Sequence, residues 1–429
     1  MRTIVVIAYQ MHHKFGSEYS LAWNYVNNMS KNNRLIVLYG TCDGHHKIGN
    51  VREFENYISD NPVPNVDFIA VRPSFKVHNY DSSIRGILGF YKEYRLWHKD
   101  VRRKIEEIAT KQKIDLIHYL GPIGFREPGY AWELNIPFIW GPLGGFDGVR
   151  LRHLKATMSL NGGFALFLKR IVNFWVQKTD GHLKEAMRNA DVLIGATSDY
   201  VKAINSIVGN NHHSKILYLP ESCMERKEDL NYEKFKDPIV RLLWVGSVDP
   251  RKGILFILDA LTKIDKNMPL HLDVINSGPI EEKAKRWAEE HGISHFVSWR
   301  GKIDRSEVIG CYHKSHLHIQ TSLADANTVV MWEAFTAGVP SLVLDHCGMH
   351  DIVSEKSGIK IKAGSYNQIV KDIAMALNGI VQNRSILKEM AENVMIERDE
   401  YSWEKRKEKF EELYILAEQQ FKKRYNKYI

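Results

Sequence analysis

The sequence has few cysteines and no long apolar run, the features that mark disulfide-rich secreted proteins, zinc-binding proteins and membrane-spanning proteins. Its four cysteines, Cys42, Cys223, Cys311 and Cys347, lie far apart and form no Cys-x-x-Cys pair. This spacing argues against a disulfide framework and against a structural zinc site, and it fits a reducing cytosol. No run approaches the roughly 20 apolar residues of a membrane span, and the N-terminal apolar run is too short for a secretion signal. We therefore expect a cytoplasmic protein, either free or peripheral on the inner face of the plasma membrane.

Two further absences narrow the class of function. There is no Asp-x-Asp cluster that presents itself as a metal site, so no metal cofactor is expected. The net charge of +8 favours an anionic partner, such as nucleic acid, anionic lipid or a nucleoside diphosphate. The basic residues are dispersed, however, and no RRM, KH, zinc or helix-turn-helix signature is present. Nucleic acid is therefore not an expected partner.

What the sequence does contain is an ordinary globular composition and an alternation of strands and helices. At 429 residues, 44% hydrophobic and 26% charged, the chain is too long for one core and suits two domains of about 200 residues. The order strand, loop, helix, strand over residues 2–39 opens a doubly wound α/β domain. A polar stretch at 221–238 reads as a linker, and a strand at 240–245 opens the second domain. Residues 43–104 are less regular.

The most informative stretch is residues 315–353, which read as strand, loop, helix, tight turn and strand. The loop is rich in N-cap residues and precedes an apolar helix at 328–337, and Gly338 lies where a helix C-cap belongs. In a parallel sheet this places a helix N-terminus at the carboxyl edge of the strands. Free N–H groups and the positive end of the helix dipole favour an anionic phosphate there.

This stretch contains two carboxylates, Asp325 before the helix and Glu333 within it. Eight residues of continuous helix would separate them by about 12 Å, but a loop before Thr328 lets Asp325 fold back so that both face one cleft. An alternative is that Asp325 is an ordinary N-cap and Glu333 a solvated residue. The helix is apolar nearly all round, however, and a Glu in such a helix needs a partner or a ligand.

The same stretch resembles the donor-site signature of retaining glycosyltransferases of family four. In that family an acidic residue, seven residues and Glu precede the string Ala-[Met/Phe]-x-x-Gly-x-Pro, which here runs from Asp325 through Glu333 to Pro340. The strings Phe-Arg-x-Pro and Trp-Gly-Pro-x-Gly-Gly of the first domain resemble a bacterial polysaccharide-type branch of the family. Two positions depart from the pattern: Leu120 stands where many relatives have a catalytic-site His, and Ser247 stands at the usual Arg position of the phosphate loop. His118 is predicted to be a core or loop histidine.

The resemblance implies the GT-B fold, in which two Rossmann-like α/β domains face each other across a cleft and a C-terminal helix crosses back to the first domain. The implied boundaries are 1–220 for the acceptor-binding domain, 221–405 for the nucleotide-sugar-binding domain and 406–429 for the helix. The implied activity is a hexosyltransferase-type transfer from a nucleoside-diphosphate sugar to a glycan or lipid-linked glycan, in bacterial surface polysaccharide synthesis. The donor is a substrate, and no cofactor is implied.

The resemblance also assigns residues to three groups. The catalytic group comprises Asp325, Glu333 and Lys252. The donor-binding group comprises Gly246, Ser247, Arg251, Gly278, Arg300, Asn327, Thr328 and Val329. The N-terminal-domain loops that would face the acceptor contribute Gly16, Ser17, Glu18, Arg126, Gly144 and Gly145.

Several alternatives stay open. A sugar-nucleotide epimerase or a phosphorylase would share the fold, although their acid/base residues or phosphate site cannot be placed. A non-catalytic glycan-assembly scaffold would explain Ser247 and Leu120. The basic amphipathic stretch 148–178 is suited either to anionic headgroups or to ordinary packing. The basic, aromatic stretch 83–104 is either an acceptor- or membrane-facing helix or a solvated one.

Overall fold

The computed structural model describes residues 1–16, 18–45, 47–80, 84–210 and 212–426. The chain forms two compact units. Unit 1 comprises Met1–Phe146, Trp175–Glu221 and Lys407–Ile429, and unit 2 comprises Asp147–Phe174 and Ser222–Arg406. None of the helices in the described ranges combines the length and apolar character that crossing a bilayer requires.

Unit 1 is built on a seven-stranded parallel sheet with the order β3-β2-β1-β4-β5-β6-β7. Its central strands are continuous apolar runs, as expected for strands that are buried on both faces. In the register of the sheet, Ile4 lies between Leu35 and Leu116. The strands are β1 (Thr3–Ala8), β2 (Arg34–Tyr39), β3 (Val66–Ala70), β4 (Leu116–Gly121), β5 (Phe138–Leu143), β6 (Val192–Gly195) and β7 (Lys215–Tyr218).

Helices alternate with these strands along the chain. Their bounds are α1 (Glu18–Met29), α2 (Arg52–Asp60), α3 (Ile84–Ala109), α5 (Gly181–Asn189) and α6 (Ser198–Val208). Helix α4 (Leu160–Thr179) lies between α3 and α5 in the chain and belongs to unit 2 as far as Phe174. Helix α2 and strand β3 were not predicted from the sequence, and their burial explains this. Phe54 is the one buried residue of α2, and β3 lies at the sheet edge with no fully buried position. β3 therefore lacks a buried apolar run, and the apolar face of α2 is limited to Phe54, Tyr57 and Ile58 over nine residues.

Unit 2 is built on a six-stranded parallel sheet with the order β10-β9-β8-β11-β12-β13. Its strands are β8 (Val240–Val245), β9 (Leu270–Ile275), β10 (Val297–Gly301), β11 (Leu317–Gln320), β12 (Ser341–Asp345) and β13 (Gly358–Lys362). Its helices are α7 (Leu255–Leu261), α8 (Glu281–Glu290), α9 (Arg305–Lys314), α10 (Val329–Thr336), α11 (Cys347–Ile352), α12 (Tyr366–Gln382) and α13 (Ser385–Glu397). Two parallel α/β units, expected from the sequence, are therefore confirmed.

The last helix, α14 (Trp403–Asn426), is present where a C-terminal helix is expected. Within unit 1 it packs on the first strand and helix. The guanidinium of Arg2 contacts Glu411 and Glu418 at 2.7 Å each, and the hydroxyl of Tyr414 bonds that of Tyr25. His118, buried below the same helix, bonds Tyr25 and the carbonyl of Gly141, which confirms it as a core histidine.

Residues 147–174 belong to unit 2, although their place in the sequence lies between β5 and β6 of unit 1. A 3-10 helix at Leu151–Thr157 carries the contacts. Arg152 and His153 bond the carbonyls of Ala363 and Gly364 at 2.6 and 2.9 Å, and the ammonium of Lys155 lies 4.3 Å from the ring centre of Tyr366. The compact units therefore differ from the predicted boundaries over this segment.

Candidate functional site

The loops that follow the strands of unit 2 meet at the carboxyl edge of its sheet. The N–H of Leu323, after β11, donates to the carbonyl of Arg251, after β8, at 2.8 Å. Gly278, after β9, lies so close to the loop after β8 that an added Cβ would fall 2.4 Å from the carbonyl oxygen of Val248. Open α/β sheets bind their ligands at this edge. The loops that contact one another here therefore form a candidate binding site.

The loop after β8 presents two cations through a short local motif. Asp249 caps a 3-10 turn, Pro250–Lys252, by accepting a hydrogen bond from the N–H of Arg251 at 2.9 Å. Proline at the first position fixes the backbone for such a turn. The turn places the side chains of Arg251 and Lys252 toward the loop after β11.

Asp325 is the acceptor for both cations. Its carboxylate oxygens lie 2.6 Å from Arg251 Nη1 and 2.6 Å from Lys252 Nζ, and Ser322 Oγ donates to it at 2.5 Å. Burial alone would raise the pKa of the Asp325 carboxyl, but the charges of Lys252 and Arg251 outweigh it and hold that pKa below its ordinary value. The structure thus brings three predicted site residues into one ion cluster, and an incoming anion would compete with Asp325 for the two cations.

Helix α10 begins beside this cluster. Thr328 precedes it in extended conformation, and no side chain caps the first turn. Val329, the first helical residue, is exposed, whereas most of the helix is buried. The first N–H groups of a helix lack intrahelical partners and carry its positive dipole end. Together with the cations, they make this edge suited to a phosphate group.

Glu333 lies in the same helix but has different neighbours. Its carboxylate is 3.8 Å from the guanidinium of Arg305, on α9. Burial raises the pKa of Glu333, and the charge of Arg305 opposes that rise. The side chain of Tyr312 also hydrogen-bonds this carboxylate. A carboxylate has about four acceptor sites, so Glu333 retains acceptor capacity for a ligand's hydroxyl groups.

The other predicted donor residues are placed as follows. Gly246 and Ser247 lie in the loop after β8, and Gly278 in the loop after β9. Asn327 is buried directly before α10. Arg300, on β10, is exposed and donates to Asp273 at 2.8 Å.

In unit 1, Glu18 is the best-anchored of the predicted loop residues. Its carboxylate, at the start of α1, accepts from the N–H of Ile123 after β4 at 3.1 Å, and the carbonyl of Ile123 accepts from Gly144 N–H at 2.6 Å. Gly16 and Gly145 are exposed, and Arg126 lies over the ring of Tyr91 at 5.9 Å. Ser17 lies outside the described residues.

Glu18 makes the stability of the protein pH-dependent. Burial raises the pKa of its carboxyl from 4.5 to about 7, opposed by the bond from Ile123. Between these values the folded chain holds a proton that the unfolded chain has released, so the free energy of unfolding falls as the pH rises. For Glu18→Gln we expect a gain on the order of 1–2 kcal/mol at pH 8 that shrinks toward pH 5. Urea unfolding across this range measures it.

The matched control is Glu185→Gln, which removes an exposed carboxylate from α5 in the same unit. We expect its unfolding midpoint to follow the wild type at every pH. A Glu18→Gln midpoint that also ran parallel to the wild type would contradict the assignment of a proton-binding carboxyl at this position.

Further side chains outside the three predicted groups lie beside the ion cluster. His346 Nε2 donates to the carbonyl of Ser322 at 2.9 Å. The thiol of Cys347 lies 2.9 Å from Asp147 Oδ2 and 3.0 Å from His346 Nδ1. These contacts fix the loop after β12 against the loop that carries Asp325. Neither spacing nor charge in the sequence reveals that Asp147 belongs to unit 2.

No group of three or more His, Cys, Asp or Glu side chains is placed to hold a metal ion within the described ranges.

Residues 225–394 match the family model described as glycosyl transferases group 1. The matched residues all lie within unit 2. The matched range contains the ion cluster, the start of α10 and Glu333. It indicates glycosyl transfer and supports a glycosyltransferase of EC class 2.4.

Two relatives are similar over longer stretches. An uncharacterized glycosyltransferase of Methanocaldococcus jannaschii is 24% identical over 306 residues, which are 70% of this chain and 75% of that protein. Protein CapJ of Staphylococcus aureus is 23% identical over 224 residues, 50% of this chain and 56% of its own length. The chain thus spans little more than half of the second relative.

Solved structures establish the fold. Anabaena HepE, in complex with UDP, aligns with 96% of this chain and 99% of its own at a TM-score of 0.61 and 14% identity. The pneumococcal O-GlcNAc transferase GtfA, in complex with UDP and GlcNAc, aligns with 97% of this chain and 99% of its own at 0.63 and 10% identity. The GT-B fold, inferred above from sequence motifs, is confirmed.

Proposed function

We propose that the protein is a retaining glycosyltransferase that moves a hexose from a nucleoside-diphosphate sugar to a glycan or lipid-linked glycan. The observation that carries the proposal is the ion cluster of Arg251, Lys252 and Asp325 beside the uncapped start of α10. Two cations and a helix N-terminus at one sheet edge suit a diphosphate. The glycosyl transferases group 1 domain contains all of these residues.

In the proposed reaction the bond between the anomeric carbon and the diphosphate oxygen breaks, and the acceptor hydroxyl bonds the same face of that carbon. The hydroxyl proton passes to the leaving phosphate. Negative charge grows on the diphosphate as the bond breaks, so Lys252, Arg251 and the helix start would stabilise the transition state more than the ground state. Fixed cations at this position would make a metal unnecessary.

Two carboxylates would hold the rest of the donor. Glu333 would accept hydrogen bonds from the ribose hydroxyls, since it lies on α10 beyond the phosphate position and is half-buried. Asp325, drawn away from the cations by the incoming diphosphate, would hold sugar hydroxyls near the anomeric carbon. These roles rest on the family resemblance of the motif and on the position of each side chain.

We also propose which nucleotide the donor carries and which acceptor receives the sugar. UDP in the HepE and GtfA structures favours a UDP-sugar. The resemblance of the first-domain strings to a polysaccharide-type branch favours a glycan or lipid-linked oligosaccharide acceptor, used in the cytoplasm during surface polysaccharide synthesis.

The test is calorimetric binding of UDP and GDP to the wild type and to Glu333→Ala, without added metal. We expect one nucleotide to bind the wild type, with an affinity at least about tenfold lower in the variant, because hydrogen bonds to a charged acceptor are lost. The matched control, Glu282→Ala, removes an exposed carboxylate of α8 and should bind like the wild type. Equal binding by Glu333→Ala would show that the ribose contact is misassigned.

A further inference from the structure

Helix α4 presents a stripe of large apolar side chains to solvent. Leu160, Phe164, Leu168, Ile171 and Trp175 follow one another at intervals of four, four, three and four residues, which places them on one face of a helix. Their exposed fractions are 91, 54, 43, 37 and 60%. We call these five residues the apolar stripe. Contiguous apolar surface of this kind marks an interaction site.

The opposite face of α4 packs on the protein, where Leu166 is partly buried against the core of unit 2. Gly163 and Asn173 are the buried residues of the helix, and the amide of Asn173 donates to the carbonyl of Asp147 at 3.2 Å. A helix that only covers a core has the reverse arrangement, with its large apolar residues inside. The outward stripe is therefore not explained by the folding of this chain.

The charge around the stripe has one sign. Residues 148–179 contain six basic side chains and no Asp or Glu: Arg150, Arg152, Lys155, Lys169, Arg170 and Lys178. All six are exposed. Leu151, beside the first two, is another apolar side chain that is 60% exposed.

We propose that α4 is an interfacial helix that docks the protein on an anionic lipid surface. An amphipathic helix with aromatic and aliphatic residues on one face and Lys or Arg nearby lies in the plane of the headgroups with its apolar face inserted. Each basic residue near an anionic leaflet adds attraction. The proposal concerns a surface and stands apart from the donor site.

The charge pattern selects this occupant over a second copy of the chain. A symmetric contact through the stripe would bring two segments together that each carry six cations and no acidic residue, and like charges at an interface oppose association. A headgroup layer supplies negative charge and an apolar interior at once. An acidic protein partner would also supply negative charge. The experiment below distinguishes a lipid surface from such a protein.

The test is co-sedimentation of the full-length chain with vesicles. One set contains phosphatidylcholine alone and the other an equimolar mixture of phosphatidylcholine and phosphatidylglycerol. We expect binding to the mixed vesicles that weakens with added salt and little binding to phosphatidylcholine. The variant Phe164→Gln with Leu168→Gln should bind about tenfold more weakly or worse, and Lys169→Gln with Lys178→Gln about tenfold more weakly.

The matched control is Met375→Gln with Ile396→Gln, which removes two exposed apolar side chains of unit 2 outside the stripe and should bind like the wild type. All variants change exposed side chains, so circular dichroism should show an unchanged fold. Absence of binding to mixed vesicles, or binding that the stripe variant retains in full, overturns the proposal. The proposal is also overturned if the wild type binds no vesicles but self-associates and the stripe variant does not. In that case the stripe binds a second copy of the chain.

Discussion

Replacing Lys252 by Met is expected to slow sugar transfer by about a hundredfold to a thousandfold, the effect typical of removing one preorganised electrostatic contact to a transition state. The Lys252 ammonium is largely buried and lies 2.6 Å from Asp325. Methionine keeps the length and apolar stem of the side chain and removes the charge. Since the diphosphate gains charge only as the glycosidic bond breaks, kcat should fall more than donor affinity.

The fold should tolerate this change, because Asp325 keeps its contacts to Arg251 and Ser322 and no buried carboxylate is left unpaired. The measurement is the steady-state rate of transfer from the sugar-nucleotide that calorimetry selects. Lys263→Met, which changes an exposed lysine of the same unit, is the matched control and should stay within about twofold of the wild type. A wild-type rate for Lys252→Met would show that Lys252 does not take part in the reaction.

Much of the fold could be predicted from the sequence, because strands buried on both faces are continuous apolar runs bounded by turn residues. The predicted strand at 240–245 coincides with β8. Elements without such runs, α2 and β3, could not be predicted. The position of residues 147–174 in unit 2 could not be predicted either, since it depends on contacts of Arg152 and His153 with residues some 200 positions later.

For the site, the sequence supplied the residues but not their pairing. Arg251, Lys252 and Asp325 were each selected by a local motif, yet the ion cluster that joins them spans 74 positions between Arg251 and Asp325. Spacing in a sequence carries no information about which cation a carboxylate contacts across two loops. The same holds for Arg305, which a helix preceding β11 brings to Glu333.

The ion cluster leads to the second large expected effect, in which binding and catalysis move in opposite directions. We expect Asp325→Asn to lower transfer by about a hundredfold or more while the affinity for UDP stays the same or rises by up to about tenfold. In the free protein Asp325 neutralises both cations at 2.6 Å, so a diphosphate must displace it. Asparagine keeps the shape without the charge, and the cations become more available to the phosphates.

Transfer should nevertheless fall, because the proposed contact between the Asp325 carboxylate and the sugar hydroxyls near the anomeric carbon is weakened. Calorimetry with UDP and rate measurements on one preparation separate the two effects. The control is Asp237→Asn, which removes a carboxylate paired with Arg241 at 2.6 Å elsewhere in unit 2 and should alter neither. If UDP affinity and transfer fell together, Asp325 would act only by holding Arg251 and Lys252 in place, and its assignment to the sugar would be wrong.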